Sequence, residues 1–156
     1  MAIHTFAAIY IGTYDVSLKV FEFTNRKKFH EVDHIRSRQE LGKGTYGTGT
    51  IGYEQVEELC ETLAQFKEIM ESYKVDSYEV SAAAALRDTT NEIFVLDQIY
   101  LRTGFRVKVL SNSEHRFISY KAVAGSPVFE EMIKTSAAVV DVEPAEPDDV
   151  GAAAQR

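Results

Sequence analysis

The chain has 156 residues, 45% of them apolar, enough for one domain with a real hydrophobic core. A formal charge of −7 repels phosphate across the whole molecule, so nonspecific binding to nucleic acid or acidic membranes is not expected, although a local basic patch could still hold an anion. A single cysteine, Cys60, excludes a disulfide framework or multi-cysteine zinc site, no stretch is long and apolar enough to span a membrane, and no leader pattern opens the chain, so a cytoplasmic protein is expected.

Residues 3–11, which carry the apolar run Phe6 to Ile11, and residues 17–23, where Leu18 and Val20 alternate with Ser17 and Lys19, predict two strands joined by a tight turn at Gly12, Thr13, Tyr14 and Asp15. The amides of such a turn can converge on an anion, and the same pattern also suits a hairpin turn with no ligand. Residues 29–38 predict a third strand after the polar turn 25–28, diluted by His30, Asp33, His34, Arg36 and Arg38. His30 and His34 do not form a helical pair on a strand, and no metal site is expected. Residues 41–52, LGKGTYGTGTIG, carry glycines at 42, 44, 47, 49 and 52 and predict a mobile loop without the Lys-Ser/Thr close of a P-loop.

Residues 53–73 predict the clearest helix, with Val56, Leu59, Cys60, Leu63, Phe66, Ile69, Met70 and Tyr73 on one face. That spacing marks Cys60 as packing rather than nucleophile. A strand over 75–82 runs into Ser-Ala-Ala-Ala-Ala-Leu-Arg, which places Arg87 at a strand-to-helix junction. A guanidinium there offers a fixed fork of donors to phosphate oxygens; the alternative is a salt bridge with Asp88 or Glu92. A second helix is expected over 89–102, capped by Thr89 or Thr90 and ended by Gly104, followed by a strand over 105–110. Ser111 and Glu114 stand at capping-box spacing and open a helix running to about Ala124. Residues 127–142 predict a short apolar helix and strand, and the acidic Pro/Ala run 143–156 has the composition of a disordered tail.

Four spaced segments, between residue 5 and about residue 125, carry a resemblance. Tyr10, Ile11, Gly12, Thr13, Tyr14 and Asp15 align with Asp-x-Gly-Ser-Asn-Ser/Thr; Arg38, Leu41, Gly42 and Gly44 with a Leu-Gly-x-Gly segment; Ala83, Ala85, Arg87 and Asn91 with Thr-x-Ala-x-Arg…Asn; and Ser111 to Arg116 with Ser-Gly-x-Glu-Glu-Ala. The chain therefore resembles the N-terminal domain of the exopolyphosphatase/guanosine pentaphosphate phosphatase (Ppx/GppA) family, within the actin-like ATPase superfamily, with degenerate catalytic motifs. The resemblance implies an α/β fold, an RNase H-like mixed sheet flanked by helices, over residues 1–126. It also implies a second domain opening on a Gly-rich loop, for which 137–142 supplies a strand-like start and 143–149 no glycine pattern.

The implied chemistry is phosphoanhydride hydrolysis of polyphosphate or guanosine pentaphosphate, with Mg²⁺ if active. Gly12, Thr13, Tyr14, Asp15, Arg38 and Arg87 are the implied phosphate-binding residues, and Glu114 and His115 the implied catalytic pair. Tyr10 stands where the family has a carboxylate, and His115 where it has the second glutamate that orients or deprotonates water. An imidazole could take over as general base, but two altered positions together point to weak or lost hydrolysis. The alternative is a non-catalytic anion-binding or protein-interaction module. A homodimer or a second-domain partner is expected, recruited through 127–142.

Overall fold

The computed structural model describes residues 3–24 and 29–124. The expected turn at 25–28 and the segments 127–142 and 143–156 lie outside them. The chain divides into two units, Met1–Leu110 and Ser111–Arg156.

The first unit is built on a mixed sheet. β1 (His4–Ile11) pairs antiparallel with β2 (Asp15–Phe23), from His4 opposite Phe23 to Ile11 opposite Val16. β2 pairs antiparallel with β3 (Phe29–Arg38), with a slip between Val20 and Phe21 that leaves Val32 out of register. On its other edge β1 runs parallel to β4 (Ser77–Ala82), which runs parallel to β5 (Lys108–Val109). The order across the sheet is β3-β2-β1-β4-β5. The alternation read from the sequence on β2 is real, and β1, an apolar run in the sequence, also alternates in burial: Ala7, Ile9 and Ile11 on β1 and Val16, Leu18 and Val20 on β2 are buried, while the residues between them are half-buried.

The helices of this unit are α1 (Leu41–Thr48), α2 (Tyr53–Ser72), α3 (Ala84–Asp88) and α4 (Glu92–Thr103). In α2 the residues Val56, Leu59, Cys60, Leu63, Phe66 and Met70 are buried at three- and four-residue steps. They join the buried face of the sheet, together with Leu41, Leu86, Val95, Ile99 and Phe105, in one core cluster. Burial in apolar surroundings raises the pKa of the Cys60 thiol. Outside the core, the Tyr73 hydroxyl donates to Asp33 Oδ2 at 2.7 Å and ties the end of α2 to β3. The second unit begins with α5 (Asn112–Ala124), where the Glu114 amide donates to Ser111 Oγ at 3.2 Å, the capping contact expected from the spacing.

Three expectations are corrected. Residues 41–52 are not a loop throughout: 41–48 form α1, which ends at Gly49 in the left-handed conformation (φ 81°). Neither Thr89 nor Thr90 caps a helix over 89–102; a short α3 precedes them, α4 starts at Glu92, and both threonine hydroxyls donate to Gly49 O, at 3.3 and 3.0 Å. The strand expected over 105–110 shrinks to Lys108–Val109, because Phe105 and Leu110 are taken into the core. Gly104 does end α4, at φ 76°.

Replacing Leu59, fully buried in α2, by alanine should cost about 2–5 kcal/mol of unfolding free energy in urea titration. Tyr53→Ser, at a side chain 66% exposed, should stay within about 0.5 kcal/mol. Cys60 should resist aromatic disulfide reagents in the folded chain and react once it is unfolded.

Candidate functional site

Strand directions bring several segments to one end of the sheet. β1 and β4 end there, β2 starts there, and β3, antiparallel to β2, ends there at Arg38 opposite Asp15. The turn Gly12–Asp15 is closed on itself by Gly12 N donating to Asp15 O at 2.8 Å. The segment after β3 is laid against it, with Gln39 N donating to Tyr14 O at 2.9 Å and Gly42 N to Thr13 O at 2.8 Å. A Cβ on Gly42 would come within 2.3 Å of Thr13 Cγ2, so the α1 backbone can approach the turn this closely only as glycine. Ala83 N donates to Ile11 O at 3.2 Å, which fixes the start of the crossover carrying Arg87 to the end of β1.

Polar side chains then join the crossover to the glycine-rich segment. Thr45 Oγ1 donates to Ala85 O at 2.8 Å. Asn91 accepts from Ile51 N at 3.1 Å and donates to Ile51 O at 2.9 Å, the two bonds a neighbouring strand would make. Thr89 Oγ1 donates to Asn91 Oδ1 at 2.7 Å. Sequence reasoning missed Thr45, Tyr46 and Gln39. Single threonines and tyrosines in a glycine-rich run carry no spacing signal, and only the fold reveals that Tyr46 reaches Asp88, at 3.5 Å, and that Gln39 is 3% exposed with its amide nitrogen on Thr62 Oγ1.

The charges at this end are largely paired. Arg87 Nε donates to Asp88 Oδ1 at 2.9 Å and Nη1 to Leu110 O at 3.3 Å, with the side chain 25% exposed. The salt bridge with Asp88 weighed for Arg87 is therefore formed; Glu92 is not the partner. Asp15 accepts from Arg36 Nε at 3.0 Å. Arg38 is 84% exposed, 3.8 Å from Glu40, and lines a groove of about 370 Å³ that also holds Gln39, Glu40, Gln55 and Glu58. The Lys43 ammonium, 2.8 Å from Glu40, holds that carboxyl below its ordinary pKa, with a smaller contribution from Arg38. The groove mixes one cation with two carboxylates and is no phosphate cradle by itself.

Tyr10 lies on β1, half-buried, opposite Ser17 and Ser81. Among the described residues no three His, Cys, Asp or Glu side chains gather where they could hold a metal ion. Glu114 and His115 belong to the second unit, on the first turn of α5; Glu114 is exposed and His115 half-buried.

A mixed five-stranded sheet in this order, flanked by helices, has the fold of the actin-like ATPases. The Ppx/GppA phosphatase family model matches residues 20–142, and the chain belongs to that family. The crystal structure of the Aquifex aeolicus member of that family superposes with a TM-score of 0.75 and 25% identity over 79% of this chain and 40% of that one. An exopolyphosphatase from Cytophaga hutchinsonii gives 0.75 and 22% identity over 80% and 39%, and shares the fold. A bifunctional 3-dehydroquinate synthase/phosphatase of Fusobacterium nucleatum is 21% identical over 146 residues, 87% of this chain and 21% of the relative. The chain thus spans about a fifth of that curated relative (21%) and about two fifths (40%) of the Aquifex structure. Among the described residues no helix is long and apolar enough to cross a membrane.

Gly42→Ala should push α1 off the turn, lowering the melting temperature and raising amide exchange at Thr13–Asp15 as well as in α1. Unchanged exchange at the turn would show that the close approach is not what orders it.

Proposed function

We propose that this domain binds phosphate-rich anions, polyphosphate or guanosine pentaphosphate, at the end of the sheet where the 12–15 turn meets the Arg87 crossover, and that it hydrolyses phosphoanhydrides weakly or not at all. The observation that carries the reading is the bonding of the crossover to both β1 and the glycine-rich segment, which holds a half-buried guanidinium beside the turn's end of the sheet. Family membership supports phosphatase-like chemistry. Tyr10 in the carboxylate position supports the loss of rate, because a phenol is neutral at pH 7 and cannot do a carboxylate's work toward metal or water. Asp88 and the oxygen of Leu110 occupy part of the Arg87 fork, so an anion competes with them. Any residual turnover is assigned to His115 as general base, with the Glu114 and Mg²⁺ roles that the family resemblance implies.

The test is a pair of measurements on the full chain. In a phosphohydrolase assay with magnesium, polyphosphate and guanosine pentaphosphate should be turned over slowly or not at all, and His115→Ala should remove whatever turnover exists while leaving affinity intact. Calorimetry with tripolyphosphate should show weak, salt-sensitive binding that Arg87→Ala reduces by about 1.5–3 kcal/mol. Asp88→Asn should strengthen binding, since it frees the fork and removes a like charge. Many turnovers per minute would overturn the loss of rate; equal affinity for wild type and R87A would overturn the site.

A further inference from the structure

Helix α1 is bonded to both halves of the proposed anion site, the 12–15 turn and the crossover that carries Arg87. Its Gly42 amide donates to Thr13 O at 2.8 Å, and three residues later Thr45 Oγ1 donates to Ala85 O at 2.8 Å. One turn of helix therefore reaches from one half to the other. Both ends of the second bond are shut off from water, with Thr45 5% and Ala85 2% exposed. The next residue of α1, Tyr46, also reaches α3, its hydroxyl 3.5 Å from Asp88 Oδ2.

α3 has only five residues, Ala84–Asp88. The last four carbonyls of a helix have no partner inside it, so a helix this short depends on its neighbours for almost all of them. For the buried Ala85 carbonyl the partner is the Thr45 hydroxyl. Ala83 N on Ile11 O, at 3.2 Å, fixes where the crossover starts, but a single fixed point leaves α3 free to swing about it. The bond at Ala85 is a second fixed point, and two points set the line along which Arg87 leaves the crossover.

We propose that Thr45 is a positioning residue for the Arg87 guanidinium: its buried hydroxyl sets the direction of α3 and with it the distance from Arg87 to the 12–15 turn. This rests on the reading of that end of the sheet as an anion site, and names what holds the site in shape. Thr45 acts through Ala85 and has no contact with the anion. The guanidinium is a planar fork whose bonds to phosphate oxygens depend on alignment, so a small rotation of α3 weakens binding although the charge is unchanged. Valine has the shape of threonine without the donor. In its place the Ala85 carbonyl is left buried and unpartnered, a cost that α3 relieves by moving toward water.

The experiment is calorimetry of the full chain with tripolyphosphate at low salt, well below the melting temperature, together with nitrogen-15 spectra of the ligand-free chain. Thr45→Val should weaken binding about tenfold, and Thr45→Ser, which keeps the hydroxyl, should stay within about twofold of wild type. Met70→Ala removes a buried side chain at the other end of the sheet, where Val75 N donates to Met70 O ahead of β4; it should lower the melting temperature and leave binding unchanged. The Arg87 Nε–H signal, identified by its loss in R87A, should shift in T45V and keep its wild-type position in T45S. Wild-type affinity in T45V, an Arg87 signal that T45V leaves in place, a serine variant no better than the valine one, or equal weakening by M70A each overturns the proposal. Weakening by R87A without weakening by T45V overturns the role of Thr45 and leaves the site standing. Equal affinity for wild type and R87A removes the site itself, and with it anything for Thr45 to position.

Discussion

The backbone of β1 is hydrogen-bonded along both edges, antiparallel to β2 on one side and parallel to β4 on the other. This double pairing decides where everything else goes. An antiparallel neighbour must begin where β1 ends, and a parallel neighbour must end there, so the 12–15 turn and the β4-to-α3 crossover have no choice but to share an end. The end of β3 follows by a second antiparallel step. A strand buried on one face through Ala7, Ile9 and Ile11 cannot slip by one residue without turning those side chains outward, so the register that places Arg87 is held by the core rather than by the site.

The parts of the fold with a clean period were legible in the sequence. β2 and α2 follow from alternation or from steps of three and four, because solvent on one side and core on the other impose those periods, and β1 follows from its apolar run Phe6 to Ile11. The 41–52 segment was not legible. Three glycines inside α1 each cost about 1 kcal/mol of helix propensity relative to alanine, and that local cost hides a tertiary gain. Gly42 lets the helix backbone bond to Thr13 O, and at Gly44 a Cβ would stand 2.8 Å from Thr50 O. Small residues were a sign of close approach where the sequence offered them as a sign of mobility. Thr89 and Thr90 failed for a related reason: the hydroxyls that could have capped α4 found a partner forty residues away at Gly49 O. At the site, the sequence pointed to Arg87 and to Asp88 as its competitor, but not to the carbonyl of Leu110, which only the β4–β5 pairing brings within reach.

This domain has the frame of a Ppx/GppA phosphatase domain, and in the proposed reading its reactive positions are altered. The separation is physically natural. The frame rests on buried aliphatic contacts and on side chains that bond to backbone, such as Asn91 on both polar groups of Ile51, and neither Tyr10 nor His115 belongs to the buried aliphatic cluster. Substitution at those two positions leaves the buried aliphatic frame alone. In the proposed reading, Arg87 survives because it serves the frame as well, holding Asp88 and the end of the β5 segment.

Among the described residues β3 forms one margin of the sheet, with a long run of backbone groups on its outer side. A bare margin of that length is a template for stacking one molecule on another without end. Here Glu31, Asp33, His34, Arg36 and Arg38 crowd the strand, and the slip at Val32 kinks it. The strand whose apolar pattern is weakest in the sequence therefore owes that weakness to its place at the border. Its mixed charges mean that a second sheet laid alongside would meet both signs and an irregular spacing, so the molecule stays dispersible on that side.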